Sequence, residues 1–213
     1  MAFQRTELPH RGVPMLLSII ALCVVGTVLA GWQFGVEVLV RGAPYRAAMV
    51  PSTAISFALL FSGILIHLQR SAPRGAVLAC AGIAAAVALT NSIVIPLGNG
   101  GFDVLAESRA FTDRMSPGTI AGILVAALGL AGLCSPRLNR AEVPMLSGTA
   151  GLSGIVAVLF VHDFHRGSPW ALPVVEAMSI YTAACLLALS AALLLIALDP
   201  SAERQSFKET GRG

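Results

Sequence analysis

Charge is what this sequence has least of. Only 12% of its 213 residues are Asp, Glu, Lys or Arg, and the formal net charge is +3. Water-soluble domains carry about a quarter charged residues. The few charges also cluster, which leaves six stretches with none: 12–36, 47–69, 75–102, 115–136, 143–162 and 177–198. Each reaches the ~20 residues that a helix needs to cross roughly 30 Å of hydrocarbon. A concentrated basic surface is absent, which argues against nucleic-acid binding. No ionisable side chain lies midway along a stretch, where transporters and proton pumps usually keep one.

Other chemistry is missing as well. There is no Gly-rich phosphate loop after a strand, no His-Glu-x-x-His and no serine elbow, so no enzyme is expected. Cys23, Cys80, Cys134 and Cys185 lie in or beside apolar runs, and none forms a Cys-x-x-Cys pair. They read as small apolar packing residues rather than a disulfide or zinc framework.

What is present is a hydrophobic chain, 56% apolar. Backbone groups in lipid must bond within their own segment, so the stretches read as helices rather than strands. The first follows Arg5 and Arg11, and Val28-Leu29-Ala30 makes a weak cleavage site, yet it is too long for a typical signal peptide. The expected fold is all-α and integral to the membrane, with helices near 14–33, 51–69, 74–96, 117–135, 143–162 and 173–198. The tails 1–13 and 199–213 are polar. Placing the N-terminus inside gives nine Lys and Arg on that side against five on the other. Both termini are therefore expected to be cytoplasmic, in a bacterial inner membrane.

A short signal recurs at the start of apolar runs. It reads Met49-Val50-Pro51-Ser52-Thr53-Ala54, then Met115-Ser116-Pro117-Gly118-Thr119, then Met178-Ser179-Ile180-Tyr181-Thr182-Ala183. The offsets are 66 and 63 residues. Gly35-Val36-Glu37-Val38-Leu39 matches Gly101-Phe102-Asp103-Val104-Leu105 at the first offset. The third copy is degenerate there, with Val161-His162-Asp163-Phe164-His165. Such periodicity fixes architecture. It predicts three repeated helical hairpins, about 14–69, 74–135 and 143–198.

Proline suits the first helical turn, and a serine just before it is a good N-cap. Met49, Pro51, Thr53, Met115, Pro117, Thr119, Met178 and Thr182 are thus read as a helix-start device. The sharper alternative is a ring of three Thr hydroxyls shaping an outer pocket, rimmed by Glu37, Asp103, Arg109, Arg114 and Asp163. Gly31, Gly35, Gly118, Gly122, Gly148, Gly151 and Gly154 mark faces where helices approach closely. These faces serve packing within the bundle or receive a partner's helix. His162 and His165 are weak metal candidates with Asp163. No cofactor is expected, although the grooves leave room for lipid or pigment.

Gly31-Trp32-Gln33-Phe34-Gly35 followed by Met-x-Pro-x-Thr-Ala, and above all Arg114-Met115-Ser116-Pro117-Gly118-Thr119, resembles the N-terminal membrane sensor region of bacterial histidine kinases and diguanylate cyclases. The resemblance covers about residues 14–198. It implies a membrane input region that in that family precedes cytoplasmic signalling domains. Only the polar tail 199–213 follows here. The expectation is a non-catalytic accessory or structural subunit of a larger membrane complex, for instance respiratory or photosynthetic, acting by helix packing. The alternatives are a ligand sensor working through a separate kinase and a small-molecule transporter.

Overall fold

The computed structural model describes residues 9–42, 47–69, 73–95, 114–134, 142–164 and 178–199, with side-chain environments for all but 9–10 and 157–164. The described residues form α-helices and no strand: α1 Pro9–Phe34, α2 Glu37–Arg41, α3 Pro51–Leu68, α4 Arg74–Val94, α5 Pro117–Cys134, α6 Glu142–Phe164 and α7 Ile180–Ala197. Five of them (α1, α3, α4, α5 and α7) are long and apolar enough to cross a membrane. Such a set marks a multi-pass membrane protein.

The six long helices close a ring. Each packs on its neighbours in the order α1, α3, α4, α5, α6, α7 and back to α1. The motif-bearing helices α3, α5 and α7 also touch one another, so they form an inner trio. The outer helices α1 and α4 are less buried than the inner trio, and α1 is the most apolar of these spans. The α1 window has a mean hydropathy of 2.5 with 28% of its residues buried, whereas the α3 window has 1.6 with 50% buried. A protein folded in water would bury its most apolar helix. Here the most apolar helix faces outward, as it does when the solvent is hydrocarbon.

The core lies between the inner helices. Phe57, Leu60, Phe61 and Ile64 of α3 are fully buried with Ile123 and Leu130 of α5 and Leu189 and Leu193 of α7. Serine and threonine are tolerated inside because each can bond its own helix. Ser18 donates to the Pro14 carbonyl and Ser56 to that of Ser52, both at 2.8 Å. This back-bonding to the preceding turn satisfies the hydroxyl without a partner helix.

Two helix starts and one additional helix differ from the sequence-based expectation. Helix α1 starts at Pro9 rather than near residue 14. Proline at the first helical position loses no bond, and Pro14 is carried inside the helix. Helix α7 starts at Ile180, after Met178 and the extended Ser179, and residues 173–177 of the expected span lie outside the described residues. The short helix α2 was not foreseen. It is held by a C-cap at Gly42, whose φ of +72° suits glycine.

Candidate functional site

The ends of α1 and α4 meet the starts of α3 and α5, so the motif copies gather at one end of the bundle. Their local geometry is the same in all three. The methionine and the next residue precede the helix, which begins at Pro51, Pro117 and Ile180, and Val50 and Ser179 are extended. The first intrahelical bond of each runs from Ala54 to Val50, from Ile120 to Ser116 and from Ala183 to Ser179, at 3.0 Å every time. The three threonines therefore occupy the third helical position of their respective helices.

Capping then differs by copy. The Ser116 hydroxyl accepts from the Thr119 N–H at 3.2 Å and shares a 2.8 Å bond with the Thr119 hydroxyl. The Ser179 hydroxyl accepts from the Tyr181 N–H at 3.3 Å. Val50 has no side-chain oxygen to offer. In the first copy an external group supports the turn instead: the Trp32 indole donates to the Met49 carbonyl at 2.8 Å. In the second copy, the Asn91 amide of α4 lies 3.8 Å from the Met115 sulfur and donates to it. A capping hydroxyl stabilises a helix by about 1 kcal/mol, which applies to Ser116 and Ser179.

Met49, Met115, Thr53, Thr119 and Thr182 are buried, with Ser52, Ser116, Ser179 and Asn91 among them. The result is a crown of hydroxyls, thioethers and one amide. It can accept and donate hydrogen bonds and offer soft sulfur contacts. Among the described residues, no group of three His, Cys, Asp or Glu is placed to hold a metal ion.

The rim residues are only partly described. Glu37 is the exposed first residue of α2, and Arg114 is half-buried just before Met115. Asp103, Arg109 and His165 lie outside the described residues. His162 and Asp163 fall on the last turn of α6, and their side chains lie outside the described set.

The glycines serve contacts within the chain. A side chain at Gly31 would meet Leu39 and Val40 of α2, at Gly122 Leu186 of α7, at Gly148 the Ser190 backbone, and at Gly151 the Ser190 side chain. Gly35 turns the chain after α1 at φ +74°. Gly154 faces open space, and Gly118 sits half-buried in the first turn of α5.

Three crown residues carry no weight in the motif itself. Asn91 is the sole amide in the apolar stretch 75–102 apart from Gly-flanked Asn99, and a lone polar group in a span is a helix-association signal. Trp32 sits where interfacial aromatics collect. Tyr181 stands in the degenerate third copy and packs over Gly42. No family model, no curated protein and no solved structure matches this chain.

Proposed function

We propose that this chain is a non-catalytic bacterial inner-membrane protein of six transmembrane helices. They form three repeated hairpins with both termini cytoplasmic. It works by helix packing, as an accessory or structural subunit of a larger membrane complex. The observation that carries this reading is the outward face of α4. Gly75, Ala79, Gly82 and Ala86 are exposed along it beside Leu78, Ile83, Leu89 and Ile93. Gly75 and Gly82 have nothing within 4 Å of a would-be side chain. Spacings of four between small residues let a second helix approach closely, and that packing is what drives association in lipid. The rows at Gly122, Gly148 and Gly151 are already filled by α7, whereas this row on α4 is open.

The test is native mass spectrometry of the protein extracted in lipid nanodiscs, beside a Gly82→Leu variant. The expected result is a stoichiometric complex that the variant loses, with unchanged thermal unfolding of the bundle. A monomer in both samples would sink the proposal.

The crown favours a second reading, a membrane ligand sensor that signals through a separate kinase. Three helix starts present buried hydroxyls and thioethers at one end of the bundle, next to exposed α2. A small neutral ligand held there would stabilise the folded state by mass action, about 2.7 kcal/mol at a hundredfold excess over Kd. A panel of such ligands is expected to raise the unfolding temperature for at least one. A flat response across the panel would count against this reading. Both readings keep the resemblance to sensor-kinase membrane regions, and they differ in whether α4 or the crown is the working surface.

A further inference from the structure

We infer that the segment Phe34–Gly42 is a membrane-interface anchor, seated at the boundary between acyl chains and headgroups where α1 leaves the bilayer. The inference rests on α1 crossing the membrane and not on the identity of any partner.

Length sets the position. Helix α1 has 26 residues, about 39 Å at 1.5 Å per residue. That exceeds the ~30 Å of hydrocarbon, so its last turn emerges at headgroup level. The outward row of α1 runs through Leu16, Ile20, Cys23 and Thr27, all exposed. It continues at helical spacing to Phe34, which is 78% exposed. Phe34 therefore faces the same medium as the lipid-contacting row.

The chain then folds back on itself. The Val36 N–H bonds to the Gly31 carbonyl at 2.8 Å. A side chain on Gly31 would press on Leu39 at 2.8 Å and Val40 at 2.9 Å, so the absence of one there lets α2 lie against α1. One face of α2 is committed to the protein. Val40 is buried, its carbonyl accepts from the Met49 N–H at 3.2 Å, and Gly42 sits under the Tyr181 ring. The other face turns outward, with Val36 and the 65% exposed Val38 beside Phe34. Glu37, between Val36 and Val38, and Arg41 at the end of α2 place charge beside this apolar patch. Apolar side chains flanked by charges at the end of a span are the pattern of an interfacial segment. Since α2 also holds the starts of α3 and α7, the anchor ties the depth of the bilayer surface to the first and third motif copies.

The test is a nitroxide label at Val38→Cys in a Cys23→Ala, Cys80→Ala chain, reconstituted in phosphatidylcholine–phosphatidylglycerol vesicles. Power saturation compares access of oxygen, which partitions into lipid, with access of a water-soluble nickel chelate. A label at Ile20→Cys supplies the mid-span reference, and Phe34→Cys is the independent site should V38C misfold. The expected result is a depth near the phosphate level at 34 and 38, with oxygen favoured over nickel, and a deeper position at 20. Full nickel access at 34 and 38 overturns the proposal, because the segment then stands in water. Shielding from both reagents overturns it too, because a protein surface then covers the segment. Nickel access at 20 removes the span itself, a failure distinct from the other two.

Discussion

Replacing Gly148 with leucine is expected to part α6 from α7 and cause the largest single loss of stability in the bundle. A side chain at 148 would meet the Ser190 carbonyl oxygen at 2.9 Å and the Leu194 nitrogen at 3.1 Å. Both are backbone atoms of a straight helix, so neither can turn aside as a flexible side chain would. One helix must move, and Gly151, one turn along, meets the Ser190 side chain on the same seam. Overpacking of this kind costs about 1–3 kcal/mol, and more where the backbone cannot yield; here the upper end or beyond is expected. The measurement is the unfolding midpoint in mixed micelles, compared with Gly154→Leu on the same helix. Gly154 has open space beside it, so its variant is expected to keep the wild-type midpoint. Equal midpoints for the Gly148 variant and the wild type would show that α6 and α7 are not packed along this seam.

This seam bears on how much of the fold could be read from the residues alone. The long helices are legible because lipid forbids charge and demands length, and both leave marks in a linear sequence. The allocation of helices to inner and outer places is less so. It depends on which moderately apolar helix carries the polar groups that must be hidden, and serine and threonine look alike whether they bond within a helix or across one. Gly148 and Gly151 announced a close approach but not its partner, since a small residue is equally suited to a neighbour in the chain and to a stranger. Helix α2 escaped notice because five residues are too few to show a period. No proline marks the first turn of α7, which starts at Ile180. The Met178-Ser179 pair was the better guide, with Ser179 capping in place of the missing proline.

The candidate site was legible in its repetition and not in its support. The three Met-to-Thr segments share one first helical bond, from the fourth helical residue back to the residue before the helix. What differs among them comes from elsewhere in the chain. Val50 cannot cap, and Trp32, from the end of α1, bonds the Met49 carbonyl just before the helix start. Asn91 reaches Met115 from another helix. Contacts of that kind depend on how helices are placed in three dimensions, and no spacing within the motif encodes them.

Phe57→Ala carries the second large effect, and its size reports which solvent the protein was built for. Phe57 is fully buried on α3, and its ring lies 6.3 Å from that of Phe61 at 36°. In a protein folded in water, Phe→Ala in a core costs about 3–5 kcal/mol, the sum of a transfer term and a cavity term. In a bilayer, the separated helices keep their side chains in hydrocarbon, which is as apolar as the core. The transfer term then falls away, and the loss of packing around the void remains. At about 24 cal/mol per Å³ of residual cavity, a void of roughly 100 Å³ costs about 2.4 kcal/mol. Unfolding in bicelles by a denaturing detergent is expected to show a loss near that value, below the aqueous range. A loss of the full aqueous size would mean that the reference state exposes Phe57 to water and that α3 does not reside in lipid once the bundle opens. No loss at all would mean that the α3 core is not packed around this ring. The same comparison at Ile20 of α1, which is 53% exposed, is expected to give almost no change, because lipid fills the space that the side chain leaves.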